Sequence, residues 1–242
     1  MAKTVSMTDV GRRRKLNQDY VFTADIPVGR LSNLYLVADG MGGHKAGGFA
    51  SKYAVEVIVE QVSSSKEQEV FEVLNHAITT ANRKIRQKAQ ADESMFGMGT
   101  TMVAATIKGN CLRIANVGDS RLYIINDTIT QITVDHSMVE EMIRMGGINR
   151  EQARNHPKKN IITRAIGAER EIKPDFFEVK LHQGDKILMC TDGVSNMLTD
   201  GEILQILQQS CSEEEKVRQL VNMANEYGGR DNMGIILITP EV

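Results

Sequence analysis

Between Thr100 and Ile132 four short runs of apolar and β-branched residues follow one another with almost nothing between them: 100–107, 111–117, 122–125 and 129–132. Lys108-Gly109-Asn110 and Asn126-Asp127 have the composition of hairpin turns. Strands joined by turns this short pair antiparallel, because a parallel return needs a crossover of about a dozen residues or more. Two helical patterns come before this block. Ala50, Tyr53, Ala54, Val57 and Ile58 recur at helical spacing, as do Val70, Leu74, Ala77, Ile78, Ala81 and Ile85, with Ser63-Ser64-Ser65 between the sets. After it the pattern predicts a helix over 137–145 ending at Gly146-Gly147, strands at 176–181 and 186–190, helices at 200–208 and 213–227, and a last strand at 233–239. Helices in separate blocks, rather than alternating with strands, give an α+β fold with helices packed outside antiparallel sheets. With no Pro-, Gly- or Ser-rich linker and no internal repeat, residues 1–242 read as one domain, and the polar stretch 148–160, which carries His156-Pro157, reads as a loop or lid.

Composition narrows the classes. The chain is 41% hydrophobic and 25% charged with a formal net charge of −2, so no whole-protein field draws it to nucleic acid or anionic lipid. The run Arg12-Arg13-Arg14-Lys15 reads as a solvated face. No apolar stretch approaches a membrane span of about 20 residues, and the first residues lead into no apolar signal region. Cys111, Cys190 and Cys211 are widely spaced with no CxxC pair, which fits reduced thiols and a cytoplasmic location. Cys190, inside an apolar run, reads as a small buried hydrophobe. Met138, Met142 and Met145 at helical spacing read as a core stripe.

Three apolar runs stop on an aspartate followed by a small residue: Asp39-Gly40, Asp119-Ser120 and Asp192-Gly193. Asp19 and Asp231 sit in polar clusters near the two ends. A carboxylate at a strand tip is rigidly placed, and several brought together repel unless cations lie between them. Oxygen ligands without His or Cys favour Mg²⁺ or Mn²⁺ over zinc, and so metal-assisted chemistry at phosphate. There is no GxxxxGK[ST] loop and no C-x5-R, which argues against a P-loop NTPase and a cysteine-nucleophile phosphatase.

These residues resemble the metal-dependent serine/threonine phosphatases of the protein phosphatase 2C type, in their shorter bacterial form. Gly11 with Arg14, Asn17, Gln18 and Asp19 is similar to the opening signature of that family. Val37-Ala38-Asp39-Gly40-Met41-Gly42-Gly43-His44 is similar to the second block. Gly99-Thr100-Thr101, Val117-Gly118-Asp119-Ser120-Arg121, Asp135-His136-Ser137, Thr163-Arg164-Ala165-Ile166-Gly167, Thr191-Asp192-Gly193 and Gly229-Arg230-Asp231-Asn232 follow in the family's order.

The resemblance implies a four-layer α-β-β-α sandwich, two antiparallel sheets flanked by helix pairs, with a two-metal site at its edge. Asp39 would bridge two Mn²⁺ or Mg²⁺ ions, and the Gly40 carbonyl would complete the shell of the second. Asp192 and Asp231 would hold the first, and Asp119, sharing Asp192, a weaker third. Arg14 would grip the substrate phosphate through its bidentate fork. Gln18, Asp19 and Asn232 would orient waters around the ions. Two cations about 3.5–4 Å apart can lower the pKa of a bridging water toward neutrality, giving hydroxide in line with phosphorus. The implied substrates are phosphoserine and phosphothreonine proteins, the implied partner a bacterial Ser/Thr kinase whose action the enzyme opposes, and the implied state a monomer. A catalytically silent phosphoprotein-binding module on the same fold would be signalled by loss of metal aspartates, and all are present. Two positions depart from many eukaryotic members: Gln18 replaces Glu, and Met41, which cannot donate a proton, replaces His after the Asp-Gly. His44 reads as structural or solvent-facing, His136 as part of a turn before a helix, and the general acid is left unassigned.

Overall fold

The computed structural model describes residues 2–43 and 45–241, so His44 lies outside the described residues. In chain order the elements are β1 (Lys3–Asp9), β2 (Asp19–Ala24), β3 (Leu34–Met41), α1 (Ala46–Ser64), α2 (Val70–Ala91), β4 (Gly99–Thr100), β5 (Met102–Lys108), β6 (Cys111–Val117), β7 (Arg121–Ile125), β8 (Ile129–Gln131), α3 (Met138–Arg144), α4 (Arg150–Arg154), β9 (Asp175–Lys180), β10 (Lys186–Cys190), α5 (Asp192–Ser195), α6 (Asp200–Leu207), α7 (Glu213–Glu226) and β11 (Met233–Thr239). One sheet runs β1-β11-β10-β7-β8. The other runs β2-β3-β5-β6-β9, with β4 paired to the end of β3. The pairings are antiparallel, as the short turns require.

The layering follows from side-chain alternation. Along β3, Leu34, Leu36 and Ala38 face one core with α1 and α2, while Tyr35 and Val37 face another. Along β11, Ile236 and Ile238 share that second core, while Met233, Ile235 and Leu237 turn outward to a third beneath α6 and α7. Three stacked cores separate four layers, α-β-β-α. Because β3, β5, β10 and β11 bury both faces, their sequences read as continuous apolar runs rather than alternating ones. Cys190 is wholly buried, and burial pushes its thiol up to about 12.

The outer helices are started by local chemistry. Thr199 and Glu202 form a capping box at α6, and the Ser212 hydroxyl accepts from the Glu215 amide at α7. Two expectations need correction. The 148–160 stretch is not simply loop: Asn149 and Gln152 cap each other's backbone and start α4. Nor do Met138, Met142 and Met145 line a core. α3 has no fully buried residue and Met145 is 78% exposed, because α3 packs on α4, away from the sandwich. β1 and β2, which the pattern did not reveal, are edge strands carrying many polar residues.

Candidate metal and phosphate site

The antiparallel register brings distant aspartates together at one end of the sandwich. Asp19 is the first residue of β2 and lies directly opposite Asp39 near the end of β3. Asp119 follows β6, Asp192 opens α5 just beyond β10, and Asp231 lies two residues before β11. Their mutual electrostatics put them in one cluster. Burial, then the charges of Asp19, Asp192, Asp119 and Asp231, hold the Asp39 carboxyl well above the usual carboxylate range. Asp119 is likewise raised, by burial and then by Asp192. Burial and the nearby Asp231 raise Asp192 to about 6, and burial raises Asp19 to about 8 despite the Thr191 hydroxyl that it accepts at 2.7 Å.

The backbone around these carboxylates is tightly specified. The Asp39 amide donates to Thr101 Oγ1 at 2.9 Å, and its carbonyl accepts from the Thr101 amide at 2.9 Å and from Thr100 Oγ1 at 2.8 Å. Thr101 Oγ1 also lies 2.7 Å from Ser120 Oγ, beside Asp119. A Cβ on Gly40 would stand 2.0 Å from the Gly47 carbonyl oxygen, so only glycine lets the start of α1 lie this close. On the other side, Asn232 fastens the 10–18 loop. Its Oδ1 accepts from the Gln18 amide at 2.8 Å, and its Nδ2 donates to the Val10 and Leu16 carbonyls at 2.9 and 3.0 Å. The Gln18 carbonyl then accepts from the Gly40 amide at 3.0 Å and from Ser51 Oγ at 2.6 Å. Arg14, on this loop, donates through Nη2 to Asp231 Oδ2 at 2.6 Å. Met41 packs its thioether against Gly99.

Sequence reasoning assigned no role to four residues that hold the aspartates. Thr191 bridges Asp19 and the Gly234 amide, Asn196 Nδ2 donates to Asp192 Oδ2 at 2.8 Å, and Thr101 and Ser120 join the Asp39 and Asp119 backbones. Thr101, Ser120 and Thr191 stood within the motif blocks; Asn196, four residues into the helical turn after Asp192, carried no motif signal.

The donor set fits hard divalent cations. All of its side-chain donors are carboxylate oxygens, and Asp19 Oδ1 and Asp192 Oδ1 are buried with no hydrogen-bond partner. Like-charged, desolvated carboxylates with unmet lone pairs call for protons or cations. Among the described residues no three His, Cys, Asp or Glu side chains are arranged around one point as a finished chelate, and Arg14 holds one oxygen of Asp231. The fit is therefore one of donor chemistry, burial and unmet bonding. Asp119 and Asp192 also line a cleft of about 420 Å³ together with Glu140 of α3, Arg150 and Arg154 of α4, and Lys159.

Residues 11–235 match the sequence model of the family described as protein phosphatase 2C. The chain belongs to that family. It is 40% identical over 238 residues to the serine/threonine phosphatase stp of Listeria innocua, covering 96% of this chain and 93% of that one. It is 41% identical over 237 residues to the protein phosphatase PhpP of Streptococcus pneumoniae, covering 96% and 95%. Among solved structures, the serine/threonine phosphatase Stp1 of Staphylococcus aureus superposes with a TM-score of 0.93 at 34% identity, covering 100% of this chain and 96% of that one. The catalytic domain of the serine threonine protein phosphatase PstP in complex with two manganese ions superposes with a TM-score of 0.86 at 30% identity, covering 98% and 97%. The four-layer architecture is that of these phosphatases.

Proposed function

We propose that the aspartate cluster and Arg14 form the active site of a metal-dependent protein phosphatase that hydrolyses phosphoserine and phosphothreonine. The convergence of Asp19, Asp39, Asp119, Asp192 and Asp231 from five separate segments, with four of them held in protonation-prone environments, carries the reading. Asp39, the Gly40 carbonyl, Asp192 and Asp231 would hold two Mg²⁺ or Mn²⁺ ions, and Asp119 with Asp192 a weaker third. When bound, such ions supply the positive charge and water activation that phosphoryl transfer to water requires.

The chain's own residues do the rest. Arg14 is half exposed, so its guanidinium can exchange Asp231 for two phosphate oxygens, a contact suited to its planar fork. Gln18 and Asn232 fix the loop that presents Arg14, so the guanidinium approaches from a defined side. Asp19 stays in the ring of carboxylates that orients the site, braced by Thr191. The 148–160 segment would form the flap, with Arg154 and Lys159 lending positive charge to a cleft otherwise rich in carboxylates. Burial and the neighbouring Arg154 and Arg230 cations lower the Lys159 pKa, which marks how closely positive charge is gathered there. No described helix is long and apolar enough to cross a membrane. Phosphorylated proteins are the substrates, a Ser/Thr kinase is the opposing partner, and a cytoplasmic monomer is the working form.

The test is a Mn²⁺ and Mg²⁺ titration with a phosphoserine and phosphothreonine peptide panel, with EDTA and an okadaic-acid-type inhibitor as controls. Turnover that requires added metal and ignores the inhibitor supports the reading. Metal-independent hydrolysis overturns it.

A further inference from the structure

Asp119 differs from its neighbours in how it is held. Asp39 sits in a strand with pairing on both sides, whereas Asp119 lies in the turn between β6 and β7, next to Gly118 at φ +102°. A turn of this kind has no ladder to fix it, yet one residue grips both polar groups of Gly118. The His136 amide donates to the Gly118 carbonyl at 2.9 Å, and the Gly118 amide donates to His136 Nδ1 at 3.0 Å. The imidazole is buried, at 7% exposure.

Only one tautomer satisfies this geometry. Nδ1 accepts from Gly118, so the proton of the neutral ring is on Nε2, which faces Asp175 Oδ2 at 3.1 Å. Arg164 Nη1 also lies 3.0 Å from Nε2, but both are donors, so that approach is not a bond between them. Asp175 resolves it by accepting from both, with Arg164 Nη1 on Oδ1 at 2.7 Å. Burial lowers the His136 pKa, which favours the neutral ring that this arrangement needs. The partner carboxylate and guanidinium therefore set the ring so that its free lone pair meets the Gly118 amide.

We propose that His136 is a positioning residue, oriented by Asp175 and Arg164, whose Nδ1 fixes the Gly118–Asp119 turn so that Asp119 is presented to the weaker divalent-cation site. The inference rests on the metal-site reading given above. It assigns to Asp135-His136-Ser137 a part in metal affinity, and it explains why an imidazole, rather than any residue that simply fills the space, stands there. It also ties Asp119 to Asp39, because Ser120 on the far side of the turn meets the Thr101 hydroxyl that accepts the Asp39 amide.

The variants separate the ring's two nitrogens. In His136→Asn the side-chain Oδ1 stands where Nδ1 was and accepts from Gly118. In His136→Gln the amide instead reaches the Nε2 position and leaves the Gly118 amide without its side-chain acceptor. Mn²⁺ binding is measured by calorimetry on the full chain, with amide hydrogen exchange at Gly118 in metal-free protein as the second readout. His136→Gln should weaken the weakest Mn²⁺ site by roughly ten- to a hundredfold, the range for outer-shell partners, leave the tightest site within about threefold of wild type, and speed Gly118 exchange. His136→Asn should restore both. Asp175→Ala, at a half-exposed position where folding is not at risk, should weaken the same site by at least about threefold through loss of the tautomer lock. Wild-type affinities and slow Gly118 exchange in both His136→Gln and Asp175→Ala overturn the positioning role. So does equal weakening of every site in His136→Asn and His136→Gln, which would mean general loss of structure. If wild type itself binds no Mn²⁺, the metal-site reading fails and this inference with it; if wild type binds and turns over while the variants match it, only the positioning role falls.

Discussion

Replacing Asp19 with Asn should stabilise the metal-free protein at alkaline pH and not at acid pH. Asp19 is buried beside Asp39, and burial moves its carboxyl from 3.8 to about 8, with Asp192 and Asp231 adding repulsion. The sign follows from where the protons are. Below pH 3.8 both folded and unfolded chains hold this proton, and it contributes nothing. Between 3.8 and about 8 the unfolded chain has released it and the folded chain has not, so stability falls as pH rises. Above about 8 the full cost has accrued. At 1.36 kcal/mol per pH unit, a carboxyl displaced from 3.8 to about 8 costs the folded state about 6 kcal/mol. Relaxation and water entry reduce penalties of this kind, so about 2 kcal/mol is the smallest gain consistent with the argument. The Asn oxygen can still accept from Thr191 Oγ1, so the local packing survives.

The assay is urea unfolding of wild type and Asp19→Asn in EDTA at pH 5 and pH 8, read by circular dichroism. Asp19→Asn should exceed wild type by about 2 kcal/mol or more at pH 8, with a much smaller difference at pH 5 and equal m-values. Saturating Mn²⁺ should close or reverse the gap, because cations stabilise the ionised cluster and the variant has lost one of its charges. A variant no more stable than wild type at pH 8 in EDTA would refute the claim that the cluster is electrostatically strained without cations.

Asp39→Asn and Asp192→Asn should each abolish Mn²⁺-dependent hydrolysis of a phosphothreonine peptide while the far-ultraviolet circular dichroism is retained; near-normal turnover in both would contradict their roles. Arg14→Ala should raise KM more than it lowers kcat, since the guanidinium grips the phosphate in ground and transition states alike; an unchanged KM counts against it. Gly193→Ala places a Cβ 1.8 Å from the Asn232 carbonyl oxygen and should destabilise the fold by roughly 2–3 kcal/mol, seen as a lower thermal midpoint; an unshifted midpoint would show that the α5–β11 approach is soft. Replacing 148–160 with a short linker should leave hydrolysis of a small aryl phosphate while changing the ranking of phosphopeptides, and an unchanged ranking would dispose of the flap's part in recognition.

What could be read from the sequence tracks what is buried on two sides. β3, β6 and β10 are inner strands whose ends were legible because most residues inside them are apolar and buried, and the runs ending at Asp39, Asp119 and Asp192 therefore carried most of the site. β1 and β2 escaped notice because each is an edge strand: half its side chains meet solvent or a rim, and Lys3, Thr4, Ser6 and Thr8 dilute any pattern. The methionines of α3 mislead for a related reason. Helical apolar spacing marks a face without showing that anything covers it, and here Met145 stays 78% exposed and no residue of α3 is buried. The short α4 itself was signalled by Asn149 and Gln152, a capping pair easily lost in a polar stretch.

The aspartates themselves divide the same way. Asp39 inherits its place from a strand, so its position follows once the strand is drawn. Asp119 does not, because its turn is fixed by an imidazole from the far side of a hairpin and by carboxylate and guanidinium groups from β9 and the loop before it. Hydrogen bonds that cross between segments leave no periodic trace in a sequence; they surface only as unexplained polar residues inside motifs, as with Thr101, Thr191 and His136. A phosphatase site built from carboxylates depends most on such residues, since mutually repelling groups stay together only when the backbone beneath each is fastened by something other than the groups themselves.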